Sequence, residues 1–293
     1  MLANLNKTEP DTRIIDKLYD PSGTSGYELY LYSGDDGMSM AVMDPAEGGF
    51  IALQSYSFSP GKQPGELNSR LRDFFDDDTF ISNKNYRQVV FMHAGSKATL
   101  VPDPLFDPGS KSGYLDFNFT VNQGEHVFSD ALKLLGAHNV YAVPDEIQST
   151  VRSHFPNAIF RHYASPFIES LLLNNKNRDE KIITVHVHLS GFEMAVTRRN
   201  ELLFYNSFRY TSTEDFLYYV LFTMEQLQLN PETTPFIFTG SAERSSALYI
   251  TTQKYIRFVG FGERTPHFSF AGSFEEIPAH FHYILFNGPL CVS

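Results

Sequence analysis

From Tyr27 onward three short apolar segments follow one another, YELYLYS, GMSMAVMD and GFIALQSYSF, and each reads as a strand. SGDDG and PAEGG separate them, with Gly and Asp residues that suit positive backbone torsions in hairpin turns. Three antiparallel strands are therefore predicted between Tyr27 and Phe58. From Pro64, GELNSRLRDFFDDD sets Leu67, Leu71, Phe74 and Phe75 at helical spacing among charged residues, which predicts a helix. In YRQVVFMHA the run Val89-Val90-Phe91 predicts a strand buried on both faces, as a parallel sheet requires. Residues 95–125, rich in Gly, Pro, Asp and Asn, read as an irregular insertion around KATLVP and YLDFNF. After it, VFSDALKLLGA predicts a helix ending at Gly136, then a strand, HNVYAVP, and a helix, EIQSTVRSHF, capped by Asp145.

The polar stretch NNKNRDEK suits a domain boundary, and beyond it the pattern restarts. KIITVHVHL, FEMAVTRR and ELLFYNSFRY are three further strands, with Ser190-Gly191 and Arg199-Asn200 at the turns. TEDFLYYVLFTMEQLQL predicts a helix capped by Ser212 or Thr213, with acidic residues in its first turn. It is apolar around most of its circumference, as burial between a sheet and a neighbour demands; a partner-facing surface is the other reading. TPFIFTG, SSALYITTQKYI and RFVGFG complete the block as strand, helix and strand. Both blocks thus run strand, strand, strand, helix, strand, helix, strand, a repeat of topology rather than of letters. That order describes a ribonuclease H-like unit, and two in tandem describe the actin-like ATPase fold. The expected fold class is α/β, with a first domain over 1–178 carrying an irregular insertion near 95–125. A second domain follows over 179–266, and a C-terminal segment over 267–293 packs back on the first.

With 293 residues, 42% hydrophobic and 19% charged, the composition is that of a packed globular protein long enough for two domains. Its 27 Phe and 16 Tyr, with no Trp, point to aromatic-rich cores or interfaces. A formal net charge of -11 repels phosphate backbones and acidic membrane surfaces, so neither nucleic acid nor lipid headgroups are expected partners. The lone Cys291 allows no internal disulfide and no cysteine-based zinc site. MLANLNKTEPDTRIID lacks the basic start and apolar stretch of a secretory signal, and no segment approaches about 18 apolar residues. A cytoplasmic location without direct membrane insertion is expected.

VPDPLF at 101–106, NVYAVP at 139–144 and above all NSFRYTSTEDFLYYVLF at 206–222 carry a family resemblance that spans the chain. The sequence resembles an uncharacterised bacterial family, seen mainly in Bacteroidetes, whose members have the actin-like ATPase fold and no assigned function. More distantly it is similar to the actin-like proteins of type IV pilus assembly and type II secretion, which act as cytoplasmic scaffolds. That likeness implies a protein partner, and a closing helix from EEIPAHFHYILF against the first domain.

An active member of this superfamily places an Asp-X-Gly-Ser/Thr turn between its first two strands, where backbone N–H groups hold phosphate and the Asp positions magnesium. Here the turn is Ser33-Gly34-Asp35-Asp36-Gly37, which could imitate the motif but is also an ordinary hairpin. The equivalent turn of the second half is His188-Leu189-Ser190-Gly191, and no carboxylate occurs from Ile182 to Phe192. Without that acid, hydrolysis loses much of its electrostatic stabilisation. At Gly240-Ser241, where the superfamily usually carries a Gly-Gly pair against adenosine, one Gly remains. An anion there would be drawn to the following helix start, although a strand-to-helix loop accounts for the residues as well. The vestigial nucleotide residues are thus Ser33, Asp35, Asp36, Gly37, Ser190, Gly191, Gly240 and Ser241, with no catalytic residue assigned.

His186 and His188, two apart in a strand, point to one face, yet two ligands do not make a metal site. His280 and His282 repeat the spacing on an expected helix, where residues two apart diverge. Asp76-Asp77-Asp78 reads as solvated loop, and no hydrolase or Walker motif is present. The resulting expectation is a non-catalytic actin-like scaffold or protein-binding module with degenerate nucleotide loops and an unidentified protein partner. No cofactor is expected, ATP and magnesium being possible ligands that are not hydrolysed. The alternative is an ATP-binding or ATP-hydrolysing actin-like enzyme whose acids come from Asp35, Asp36 or Glu193.

Overall fold

The structure, a computed structural model, describes residues 10–58, 66–77, 80–81, 85–189 and 191–291. In chain order its main elements begin with β1 (Thr12–Ile15), β2 (Glu28–Gly34), β3 (Gly37–Asp44), β4 (Gly49–Ser57), α1 (Glu66–Asp77) and β5 (Gln88–His93). There follow β6 (Ala98–Pro102), α2 (Lys111–Asp116), β7 (Glu125–Leu132), β8 (Ala137–Pro144), α3 (Asp145–His154), β9 (Ile159–His162) and α4 (Ala164–Asn175). The remainder comprises β10 (Ile182–His188), β11 (Gly191–Arg198), β12 (Glu201–Arg209), α5 (Thr213–Gln226), β13 (Phe236–Gly240) and α6 (Ala247–Thr252). The chain closes with β14 (Val259–Phe261), β15 (Ser269–Phe270) and α7 (Tyr283–Asn287).

Two compact units result: Met1–Ala131, Ala137–Tyr163 and Pro266–Glu276 form the first, and Leu132–Gly136, Ala164–Thr265 and Ile277–Ser293 the second. In the first, one sheet runs β1-β4-β3-β2-β5-β9 with β15 added beside β4. In the second, the order is β12-β11-β10-β13-β14. Stripped of β1 and β15, the first sheet has the same order, third strand outermost, then second, first, fourth and fifth. In both, the first three strands pair antiparallel and the fourth and fifth join in parallel.

The repeat reaches the letters as well, contrary to the expectation from the sequence. Gly37 faces Ser57 and Gly191 faces Arg209; from there GMSMAV and GFEMAV align position by position, sharing Gly and Met-Ala-Val. Both hairpins slip register by one residue at the same point, between Val42 and Met43 in one and Val196 and Thr197 in the other. Their partners also correspond, LQSYS at 53–57 lying over YNSFR at 205–209. A bulge at one position of two hairpins is a designed feature of a strand pair rather than a local defect.

Several expectations are corrected. VFSDALKLLGA is not a helix: residues 125–132 are β7, in a separate three-stranded sheet ordered β6-β8-β7. Asp130 anchors that strand, because its buried carboxylate accepts from the Tyr141 hydroxyl at 3.1 Å and the His162 N–H at 2.8 Å. Gly136 does take a positive φ of 67°, but in the β7–β8 turn. HNVYAVP therefore belongs to the insertion, and the last strand of the main sheet is β9. Asp145 lies in the first turn of α3, whose N-cap is Pro144 without a side-chain cap. Of the two caps considered for α5, Ser212 is the one used; its hydroxyl accepts from the Asp215 N–H.

The C-terminal segment divides between the units instead of packing wholly on the first. β15 extends the first sheet, Phe270 stacking on Phe50 at 5.3 Å, whereas α7 packs in the second unit against α4. Within EEIPAHFHYILF the α-helix begins only at Tyr283, directly after His282, which is left-handed at φ 53°. Helix α4, buried along most of its length, likewise belongs to the second unit, which places the division before Ala164 rather than after residue 178.

Candidate functional site

The first candidate turn is the two-residue connection Asp35-Asp36 between paired Gly34 and Gly37. Neither aspartate takes a positive φ, so the turn differs from the one its Asp-Gly pair suggests. Gly37 is required by packing: a Cβ there would lie 2.3 Å from the Tyr56 carbonyl oxygen of the third strand. Asp36 accepts from the Tyr32 hydroxyl at 3.4 Å, while Asp35 is exposed. Ser33 is fully buried, and its hydroxyl has no hydrogen-bond partner among the described residues.

Ser33 belongs to a row that the sequence does not announce. It pairs with His93 of β5, which pairs with His162 of β9, at the carboxyl ends of three adjacent parallel strands. Burial pushes the His93 ring down to about 3, so it is neutral, and its Nδ1 has no partner among the described residues. His162 Nε2 faces the Gly95 carbonyl at 2.8 Å and must donate to it. Its Nδ1 then accepts from the Asn139 amide at 3.1 Å. Only glycine fits at 95, where a Cβ would stand 2.9 Å from the His93 ring.

In the second unit the turn joins His188 to Gly191, with Leu189 exposed and Ser190 outside the described residues. Gly191 repeats the constraint on Gly37, its absent Cβ pointing at the Phe208 carbonyl oxygen at 2.5 Å. The nearest carboxylate in the chain is Glu193, two residues into β11 at the position Ser39 holds in β3, and it is completely buried. The Tyr205 hydroxyl donates to it, and His188 Nε2 stands 3.7 Å from its Oε1, an ion-pair distance too long for a hydrogen bond. His186 lies beside it; because Thr239 Oγ1 donates to the Val185 carbonyl, His186 Nδ1 donates to Thr239 at 3.0 Å. Burial drives the His186 ring to about 3. His186 and His188 thus share a face, each with its own neighbour. Among the described residues no group of three or more His, Cys, Asp or Glu is arranged to hold a metal ion.

The third candidate is tied directly to this turn. Gly240 pairs with Val187, and both the N–H and the hydroxyl of Ser241 donate to the Val187 carbonyl, at 3.0 and 3.1 Å. The Gly240 N–H donates to the His280 carbonyl at 2.9 Å, and the His280 ring donates back to the Ala242 carbonyl at 2.8 Å. The N–H groups of Gly240 and Ser241 are therefore both already hydrogen-bonded within the protein. The following helix, α6, starts at Ala247 under a Ser246 cap that accepts from the Tyr249 N–H. His280 precedes α7 rather than lying on it, with Phe261 against its ring at 4.3 Å.

The structure thus brings His188, Gly191, Gly240 and Ser241 together in one unit, and Ser33, Asp35, Asp36 and Gly37 in the other. Sequence reasoning missed His93, His162, Tyr205 and His280 as members of these surroundings. The Met-Ala-Val repeat was the available signal: aligning the blocks on it sets Glu193 over Ser39 and Gly191 over Gly37.

A Bacteroides thetaiotaomicron protein described as having an actin-like ATPase fold and unknown function is similar in structure. Its TM-score is 0.75 at 22% identity, over 84% of this chain and 94% of that one. The PilM–PilN type IV pilus biogenesis complex gives a TM-score of 0.63 at 13% identity, over 91% of this chain and 98% of that one. At such identities the likeness establishes the fold, which is the actin-like ATPase fold. No curated protein matches the sequence. Among the described residues, no helix is long and apolar enough to cross a membrane. The model of the family described as Protein of unknown function (DUF3822) matches residues 16–259, and the chain belongs to that family.

Proposed function

We propose that this protein is a non-catalytic actin-like scaffold that binds a protein partner and does not hydrolyse ATP. The observation that carries the reading is the Gly240–Ser241 loop, whose N–H groups are spent on His280 and Val187. An anion there would have to displace two backbone hydrogen bonds, each worth about 1 kcal/mol net. Supporting it, the strand end at His188 supplies no carboxylate, and the buried Glu193 is held by Tyr205. Without a carboxylate at that second turn, phosphoryl transfer loses much of its electrostatic stabilisation. The PilM–PilN assembly, similar in fold, is a complex, which offers a fold-level analogy for a binding role.

Titration calorimetry and thermal-shift measurements with ATP and magnesium chloride test the reading, together with an assay for released phosphate. The expected result is no heat, no shift and no release. Magnesium-dependent hydrolysis that disappears in Asp36→Ala or Glu193→Gln would overturn it and install the enzymatic alternative.

A further inference from the structure

The bulge shared by the two hairpins leaves one residue of each third strand out of register, Ile51 in β4 and Leu203 in β12, and re-aims its side chain. Ile51 is 3% exposed and Leu203 37%. The corners around them explain the difference. By the register of the repeat, Lys181, Val196 and Arg198 of the second unit correspond to Tyr27, Val42 and Asp44 of the first. In the first unit aromatic side chains fill the corner. Tyr19 and Tyr27 pack against the buried cluster that holds Val42 and Ile51, their rings 6.0 Å apart, and Tyr19 meets the buried Phe80 at 5.1 Å. In the second unit Lys181, Val196, Arg198, Leu203, Leu227 and Leu229 instead line a cavity of about 360 Å³, a size ordinary for a small-ligand site.

The lining divides by chemistry. Val196 and Leu229 are buried, and with Leu203 and Leu227 they form apolar walls that favour any group able to displace water from them. The charged members, Lys181 and Arg198, are both cations in a chain of net charge -11, and no carboxylate is among the lining residues. The Lys181 ammonium donates to the Leu227 carbonyl at 3.4 Å and, among the described residues, pairs with no carboxylate, so two of its three donors are left to a ligand. Arg198 spends one arm of its guanidinium on Glu201 at 2.8 Å, in a solvent-exposed pair that is weak by nature.

We propose that this cavity binds an aliphatic monocarboxylate, its hydrocarbon chain on the leucine and valine walls and its carboxylate on Lys181 and Arg198. Charge complementarity selects this occupant. A hydrocarbon alone would displace water from two cations without replacing it by counter-charge, and a compact anion alone would leave the walls wet. A carboxylate joined to an aliphatic chain satisfies both, and its two oxygens match the fork of a guanidinium. The hydrocarbon chain takes the place that aromatic side chains hold in the first unit. The cavity lies at the opposite end of β10 from the His188 turn, so the proposal does not depend on whether the protein binds nucleotide.

Titration calorimetry of the full chain with sodium octanoate tests this, beside 1-octanol, which keeps the chain without the charge, and acetate, which keeps the charge without the chain. The variants are Lys181→Gln, whose amide can still donate to the Leu227 carbonyl, and Arg198→Gln; circular dichroism melts establish that both remain folded. Octanoate is expected to bind one per chain, with octanol and acetate each at least about tenfold weaker, and each substitution should weaken octanoate by about tenfold while leaving octanol unchanged. No binding of octanoate at millimolar concentration, octanol binding as tightly as octanoate, or an octanoate affinity unchanged by either substitution would each overturn the proposal.

Discussion

The main-chain N–H of Gly240 donates to the carbonyl of His280, 40 residues later in the chain, and the His280 ring returns a hydrogen bond to Ala242. The loop that would meet a nucleotide is therefore closed by the protein's own C-terminal segment. Replacing His280 by Ala removes the ring hydrogen bond and the Phe261 contact, and should lower stability by about 1–3 kcal/mol. Urea unfolding of the variant measures this; an unchanged midpoint would show that the clamp contributes nothing.

Gly240 itself tolerates no side chain. Its φ is 81°, and a Cβ would sit 2.3 Å from the Val187 carbonyl oxygen. Gly240→Ala should cost about 2–4 kcal/mol, more than the left-handed conformation alone, because backbone on both sides must move. The comparison variant is Gly48→Ala, at φ 62° with no neighbour within 4 Å among the described residues, which should cost only about 1–2 kcal/mol. Equal losses at the two positions would contradict the clash.

Gly37 and Gly191 should behave as a pair, since each faces a carbonyl oxygen of its third strand, at 2.3 and 2.5 Å. Substitution of either by Ala is expected to destabilise by about 2–3 kcal/mol. A strong effect at Gly37 with none at Gly191 would mean that the two hairpins are not under the same constraint.

Acid should weaken the fold through two neutral histidines. His93 and His186 are held near 3 by burial, while an unfolded chain protonates them near 6.5. Their stabilisation is complete above about 6.5 and is lost as the pH falls toward about 3, each contributing a slope of up to about 1.4 kcal/mol per unit. Unfolding midpoints at pH 7.5 and 5.0 read this directly. In His93→Asn the pH dependence should flatten by roughly one proton's worth, and a wild-type midpoint that does not fall would refute the assignment.

Glu193 is a buried carboxylate that needs its donor. Tyr205→Phe deletes that donor and should cost about 1–3 kcal/mol, with much of the loss disappearing when Glu193→Gln is already present. A double-mutant cycle measures the coupling, and strict additivity would show that the Tyr205–Glu193 bond is energetically idle.

Much of the frame was legible from local pattern. The strands β2 to β5 and β10 to β13 announce themselves because their apolar runs are short and bounded by turn residues, and α1 and α5 because their apolar residues recur at helical spacing. β7 was not legible, since VFSDALKLL satisfies a helical period equally well. Its pairing with β8 and the anchoring of Asp130 by Tyr141 and His162 decide the matter, and those partners lie up to 32 residues away. Helix α4 gave no periodic signal because it is buried on nearly every side.

What the chain determined by itself was the opening of each block, three strands, a helix and a fourth strand, and the absence of an acid at the His188 turn, because both depend on residue types close in sequence. Tertiary structure alone decided that Gly240 is clamped by His280, that His93 and His162 line up beside Ser33, and that, among the described residues, a further strand covers the edge of β4 and none covers that of β12. Each of these depends on groups brought together from distant parts of the chain, where burial and hydrogen-bond satisfaction, rather than periodicity, select the arrangement.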